Sequence, residues 1–195
     1  MAVKYEQTHS LIIQKGIGLI CEKGYEAVTI EEICEAAEVA RSTFYHHFKT
    51  KEKLVWDYFD QISLLTPERL AWAFGGETAY ERAVRLQLSY YLAEENYRNV
   101  ELYIVRMRAF LNARGPELLE RDGPMRKTLI PLIEQAQAAG EIRNRASARE
   151  LSDAAAMLLW GNIYMWGISG GSFDRPTALR RALETLYDVR PDLRR

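Results

Sequence analysis

The stretch from Val28 to Leu54 constrains the fold of this chain more than any other, because it contains two short helical patterns separated by only a few residues. Thr29 precedes Glu32 by three residues, the spacing of a capping box, so a helix is predicted to begin at Thr29. A second pattern follows at once, in which Phe44 and Phe48 can share one helical face. Two such helices are typical of a helix-turn-helix, whose second helix lies in the major groove of DNA.

The charge of the chain is unevenly distributed, although its formal net charge at pH 7 is only -1. Residues 1–38 contain three lysines and seven glutamates, whereas residues 39–53 contain four cations and one glutamate. Positive charge therefore collects on the predicted second helix of the motif and its flank. This distribution favours DNA as a partner, although a short charged run taken alone is usually a solvated surface.

The order of residues from about 12 to 54 resembles the N-terminal DNA-binding domain of TetR/AcrR-family transcriptional regulators. The family pattern closes with Tyr-x-x-Phe-x-x-Lys-Glu-x-Leu, matched here by Tyr45, Phe48, Lys51, Glu52 and Leu54. Glu38 stands where the family often has a Gly in the turn, and Ala40 stands where a Ser or Thr usually caps the recognition helix. Since an alanine cap lacks a side-chain acceptor, at a cost of about 1 kcal/mol, this helix is expected to start at Arg41 or Ser42.

The resemblance also implies which side chains contact double-stranded DNA. Those expected to reach base edges or nearby phosphates are Arg41, Ser42, Thr43 and His46. Those expected to serve mainly as anchors on the DNA backbone are Tyr45, His47, Lys51 and Thr29.

The remainder of the chain has helical periodicity and neither a strand pattern nor an internal repeat, so we predict an all-α fold of about nine helices. Residues 1–54 are predicted to form a three-helix DNA-binding domain, and residues 55–195 an effector-binding and dimerisation domain. Helices in the second domain are predicted from Thr78 to about Tyr97, Val100 to Ala113, Met125 to Ala139, Ser147 to Ser169 and Pro176 to Val189.

Aromatic side chains are dense in these middle helices. Tyr and Trp bring a polar tip into an apolar wall, which suits a small-molecule pocket, although an ordinary core explains such residues more often. The resemblance implies that an effector binds in the second domain, and the predicted lining residues are Tyr91, Tyr103, Met107, Trp160 and Tyr164. Arg106 and Arg108 leave an anionic ligand open, or lie simply at the surface.

The segment 154–168 is apolar nearly all round, which indicates a helix buried on every side. In a chain this short, one side of such a helix needs either a second subunit or an intramolecular core. The resemblance implies that the last two helices form half of an intermolecular four-helix bundle in a homodimer. The predicted interface residues are Trp160, Ile163, Leu183 and Leu186, with Gly161 and Gly167 allowing a close approach of backbones.

The sequence disfavours an enzyme, and no cofactor is predicted. It contains no zinc-spaced cysteine pair, no histidine metal motif, no Gly-rich phosphate loop and no nucleophile elbow. Cys21 and Cys34 are expected to be buried small hydrophobes rather than a redox switch. Because the chain has neither an apolar N-terminal segment nor an apolar run of about 20 residues, a cytoplasmic protein without membrane contact is expected.

The leading hypothesis is a homodimeric regulator of transcription, most simply a repressor released by a small effector. Two alternatives come from other classes: a DNA-bound scaffold that holds a protein partner, and a helical enzyme with a vestigial helix-turn-helix. An exposed apolar groove outside the dimer interface would favour the scaffold. Convergent titratable groups inside the pocket would favour the enzyme.

Overall fold

A computed structural model describes residues 2–63, 65–92, 99–113 and 123–195. These residues form ten α-helices and no strand, which confirms the predicted all-α fold with one helix more than the approximate count. The helices are α1 (Ala2–Lys23), α2 (Ile30–Ala36), α3 (Arg41–His47), α4 (Lys51–Ser63), α5 (Pro67–Phe74), α6 (Ala79–Leu88), α7 (Val100–Ala113), α8 (Pro124–Ala138), α9 (Ala148–Ile168) and α10 (Arg175–Leu186). Short 3-10 helices lie at Ser89–Leu92 and Pro191–Leu193.

The helices divide into two compact units, and the first is discontinuous in sequence. It contains α1 to α4 together with α7, whereas the second contains α5, α6 and α8 to α10. The boundary predicted after residue 54 falls inside α4. The assignment of separate functions to residues 1–54 and 55–195 therefore stays a proposal.

The capping box predicted at the start of α2 is confirmed. The Thr29 hydroxyl accepts from the Glu32 backbone N–H at 3.2 Å, and the Glu32 carboxylate accepts from the Thr29 backbone N–H at 2.8 Å. That bond to the Thr29 backbone, with a further one from Lys23, lowers the pKa of Glu32 to about 2. The capping box stabilises the N-terminus of this short helix, whose Ile33 and Cys34 are buried.

The turn between α2 and α3 contains both departures from the family pattern. Glu38 adopts the left-handed conformation with φ 52°, which costs a residue with a side chain about 1–2 kcal/mol. Ala40 occupies the N-cap without a side-chain hydrogen bond, and α3 begins at Arg41. The helix therefore starts at the first of the two residues expected, without a capping side chain.

The first unit closes around α3 and α4, and α7 completes it. Phe44, Leu54 and Phe59 are all buried, and the Tyr103 ring of α7 lies 5.1 Å from that of Phe59. The Glu101 carboxylate of α7 accepts from the backbone N–H of Tyr25, just beyond α1, at 2.5 Å. The Tyr25 backbone N–H, which lies beyond the end of α1, thus has a side-chain acceptor from α7.

In the second unit α6 packs against α5, α8 and α10, while α9 packs against α8 and α10. The predicted range of α7 and the predicted cap of α9 at Ser147 are confirmed. The last helix ends at Leu186, three residues earlier than predicted, because Asp188 has φ 45° and Val189 pairs with Ile142. The predicted continuation of the sixth helix to Tyr97 lies outside the described residues.

Candidate nucleic-acid interface

The recognition helix α3 has one buried face and one exposed face. Phe44 is wholly buried, because it anchors the helix to the core of the first unit. The exposed side chains are Arg41, Ser42, Tyr45 and His46, and Thr43 is half-buried. Of the four residues predicted to reach base edges, three therefore present their side chains to solvent.

Arg41 at the start of α3 is held from two sides. Its Nη1 lies 2.5 Å from the Glu31 Oε1 on α2, and its Nη2 donates to the Tyr45 hydroxyl at 3.4 Å. The guanidinium carbon also lies 5.7 Å from the centre of the Tyr45 ring. The hydrogen bond to Tyr45 and the negative charge of Glu31 raise the pKa of Arg41, whose guanidinium is a positive charge on the exposed face at any physiological pH.

Three of the four residues predicted to anchor the protein on the DNA backbone surround one cleft of about 440 Å³ in the first unit. Thr29, Tyr45 and Lys51 line it, together with other residues from the α1–α2 turn and the start of α4. The arrangement brings side chains from three helical segments to one concave surface. Glu26 and Glu31 also line this cleft, so its charge is mixed rather than purely basic.

The Lys51 ammonium is engaged within the protein. Its Nζ donates to the backbone oxygen of Val28 at 2.6 Å and to that of Tyr25, and it lies 4.1 Å from the centre of the Tyr25 ring. Two of its three donors are thus used to tie α4 to the turn before α2. Contact between Lys51 and a DNA phosphate stays a prediction.

His47 lies apart from that cleft and packs against α1. Its ring is 4.2 Å from that of Tyr5 and 5.6 Å from that of His9, and the rings of His46 and His47 are also 5.6 Å apart. The Nδ1 atoms of His9 and His47 are buried without a hydrogen-bond partner. Burial, reinforced by the charges of the other two histidines, lowers the pKa of His47.

Sequence reasoning missed three residues of this region: Glu31, Tyr5 and His9. Tyr5 and His9 are four residues apart and so share a face of α1, which was a local signal for a common neighbour. The pairing of Glu31 with Arg41 crosses a turn and had no such signal. A neighbouring contact joins His9 Nε2 and the Asp57 carboxylate of α4, which lie 3.6 Å apart.

The five residues predicted to line an effector pocket are distributed over both units, and none of them lines the cleft described above. Tyr103 and Met107 lie on α7 of the first unit, where Tyr103 is fully buried. In the second unit the Tyr91 hydroxyl donates to the Asn162 side-chain oxygen at 2.8 Å, and Trp160 and Tyr164 are half-buried on α9. Their role in binding an effector stays a prediction.

The two cationic residues considered for an anionic effector belong to α7 of the first unit, and both contact other residues of that unit. The guanidinium of Arg106 lies 4.3 Å from the centre of the Phe59 ring, and it is buried. Arg108 is exposed, with its Nη1 3.3 Å from a carboxylate oxygen of Glu26.

The predicted dimer contacts need a correction at two positions. Ile163 is 2% exposed and Leu183 is 0% exposed within the single chain, so neither side chain has surface left for a second subunit. Ile163 lies on a helix whose apolar residues lie on several faces, which hides the face that forms the core. Leu183 shares one apolar stripe of α10 with Leu179, and that stripe is buried within the chain. Trp160 and Leu186 are half-buried, whereas Gly161 is exposed and Gly167 is buried.

Three large apolar side chains of α9 are instead exposed: Met157 at 72%, Met165 at 59% and Ile168 at 73%. Together with Gly161 they are spaced four, four and three residues apart, the spacing of one helical face. We call these four residues the outer face of α9.

Over the parts of the chain that the structure describes, no group of three or more His, Cys, Asp or Glu side chains is arranged to hold a metal ion. None of the described helices has both the length and the apolar character needed to cross a membrane.

Comparison with known proteins gives matches of two extents. The model of the family "Bacterial regulatory proteins, tetR family" matches residues 12–56, which run from α1 into α4. The TetC protein of transposon Tn10 from Escherichia coli is 41% identical over 51 residues, which are 26% of each chain. The transcriptional regulator AcuR of Cereibacter sphaeroides is 28% identical over 163 residues, covering 78% of this chain and 71% of AcuR.

A solved structure extends the likeness over nearly the whole fold. Thermus thermophilus FadR, a transcriptional repressor crystallised with lauroyl-CoA, superposes with a TM-score of 0.66 at 22% identity. The superposition covers 91% of this chain and 92% of FadR.

Proposed function

Because this chain belongs to the TetR family of bacterial regulatory proteins, whose members bind DNA to control transcription, we propose that it is a homodimeric repressor released from a palindromic operator by a small effector. The observation that carries the proposal is α3. It lies within the stretch that the family model matches, and it presents Arg41, Ser42, Tyr45 and His46 to solvent from a helix anchored by Phe44.

In this proposal each subunit places α3 in one major groove. Two such helices read half-sites roughly 34 Å apart, or somewhat more, on the same side of the duplex. Arg41, Ser42, Thr43 and His46 reach base edges or adjacent phosphates. The residues that contact the DNA backbone are Thr29, Tyr45, His47 and Lys51. Contacts to phosphate fix the register of the protein on the duplex but do not distinguish one base sequence from another.

The outer face of α9 supports a dimer. Three exposed apolar side chains on one face of a helix are more than a scatter of single residues, and such patches mark contact surfaces. Gly161 in their midst leaves room for a close approach, because a Cβ there would meet no atom within 4 Å. Trp160 and Leu186, which are half-buried, stay within the proposed interface.

An effector would act through residues 55–195, the proposed effector-binding and dimerisation domain. A ligand that binds the free conformation better than the DNA-bound one releases the operator in proportion to that difference in affinity. The FadR repressor has the same fold and was crystallised with lauroyl-CoA, so lauroyl-CoA is the first probe to test.

The proposal is tested by selecting duplexes from a randomised double-stranded library with the purified protein. A palindromic motif should emerge, and affinity for it should fall linearly in log–log form as salt rises. Arg41→Ala should weaken binding to the selected duplex by about 1–3 kcal/mol if this side chain reads guanine. Failure to enrich any motif at low salt would refute sequence-specific DNA binding, and an unchanged affinity with lauroyl-CoA would exclude that effector.

A further inference from the structure

The start of the recognition helix carries an ion pair that the proposed function does not by itself require. Glu31 is the second residue of α2 and Arg41 is the first residue of α3, so their pair bridges the turn of the helix-turn-helix. Resting on the proposed DNA-binding function, we propose that Glu31 is a positioning residue for sequence recognition. Its carboxylate holds the Arg41 guanidinium in the orientation from which it reads a base edge.

The contacts of Arg41 restrain its guanidinium but leave some of its N–H donors available. Glu31 Oε1 lies 2.5 Å from Nη1, and the Tyr45 hydroxyl accepts from Nη2 at 3.4 Å. A guanidinium has five N–H donors in one plane, so these two contacts leave three donors for DNA. Tyr45 is one turn further along α3, and the arginine is therefore restrained from both α2 and α3.

The ion pair of Glu31 with Arg41 is not explained by a contribution to the free energy of folding. The side chains of Arg41 and Glu31 are 62% and 58% exposed, and ion pairs between such exposed groups contribute little to folding. Glu31 also lines the cleft whose Thr29, Tyr45 and Lys51 are proposed to contact DNA phosphates, and a negative charge there opposes every duplex regardless of sequence.

The two effects of Glu31 on binding therefore have opposite signs. Its charge weakens binding to all DNA. Its contact with Arg41, however, already restricts that long side chain, so less conformational entropy is lost when Arg41 contacts a base. Only a duplex with the correct base benefits from the second effect. Glu31 thus lowers affinity in general and raises discrimination between duplexes.

The test separates the charge of Glu31 from its oxygen atoms. Affinities are measured for a duplex selected by the wild-type protein and for a scrambled duplex of the same composition, with Glu31→Gln and Glu31→Ala. Both variants remove the charge, but the glutamine keeps an oxygen that accepts from Arg41. Glu35→Gln, an equal change of charge at another exposed position of the same helix, is the matched control.

We expect both Glu31 variants to bind the scrambled duplex more tightly than the wild type. Glu31→Ala should lower the ratio of selected to scrambled affinity about 3- to 10-fold, the loss that accompanies one freed long side chain. Glu31→Gln and Glu35→Gln should keep that ratio within about twofold. In an Arg41→Ala background, Glu31→Ala should no longer change the ratio, because the group that it positions is absent.

Two results would overturn the inference. One is an unchanged ratio in Glu31→Ala, and the other is an equal fall of the ratio in the alanine and glutamine variants, which would assign the effect to charge alone. Thermal melting of each variant shows that it is folded, and the glutamine variant keeps the comparison open should the alanine variant not fold. A wild-type protein that selects no motif would refute the proposed function instead, so the two failures are distinct.

Discussion

Changing Ile168 on the outer face of α9 to glutamate should dissociate the proposed dimer while each chain stays folded. Ile168 is 73% exposed in the single chain, so most of its side chain is available to be buried by a partner. Burying a whole isoleucine contributes about 1.5–3 kcal/mol, and a two-fold interface counts each position twice.

The loss is therefore about 3 kcal/mol for the pair of isoleucines, before the cost of two unpaired carboxylates close to one another is added. A loss of about 3 kcal/mol raises the dimer dissociation constant about 100-fold. Leu183→Glu should behave differently, since Leu183 is 0% exposed within its own chain. A carboxylate forced into that core should unfold the second unit.

Sedimentation velocity over a dilution series gives the dissociation constant, and circular dichroism during heating gives the stability of each variant. Gln135→Glu, on the exposed surface of α8, adds the same charge elsewhere and should change neither quantity appreciably. An Ile168→Glu protein that remains a dimer at the wild-type dissociation constant would refute the assignment of the interface to the outer face. A folded, monomeric Leu183→Glu protein would refute the conclusion that this side chain belongs to the core.

Three further predictions concern the first unit. Because burial lowers the pKa of His47, its imidazole takes up a proton more readily in the unfolded chain, and the free energy of unfolding should fall as pH drops below about 6.5. His47→Gln should make that fall smaller in urea titrations, and identical pH slopes would contradict this account. Glu38→Gly should raise the free energy of unfolding by about 1 kcal/mol by relieving the left-handed conformation, whereas Glu35→Gly inside α2 should lower it by a similar amount. Ala40→Ser should add about 1 kcal/mol by supplying the cap that α3 lacks, and an unchanged denaturation midpoint would show that the exposed N–H groups are already satisfied by water.

Features that depend on nearby residues were predictable from the sequence. The start of α2 follows from Thr29 and Glu32, which satisfy each other's backbone three residues apart, and the start of α9 follows from Ser147 and Glu150 in the same way. The range of α7 was also predicted correctly. In each case the determining groups lie within a few residues, so propensity and capping suffice.

Features that depend on distant residues were not predictable. The apolar sequence of α9 has residues on every face, and only packing against α8 and α10 decides that Ile163 is inside and Ile168 outside. The pairing of Glu31 with Arg41 depends on the angle between two helices, which a single sequence does not supply. Placement of α7 beside α4 likewise depends on the contact of Tyr103 with Phe59, across 44 positions.

The discontinuity of the first unit has a consequence for how the protein is made. The 50 residues from position 64 to position 113 follow the end of α4, and at about 5–20 residues per second a ribosome needs roughly 3 to 10 s to add them. Until residues 101 and 103 have been added, Phe59 has no Tyr103 against it, and the Tyr25 N–H has no carboxylate from Glu101. We expect a nascent chain to complete the first unit, which we propose reads DNA, only after α5 and α6 of the other unit have left the ribosome, so that chains whose synthesis stops early do not compete for the operator.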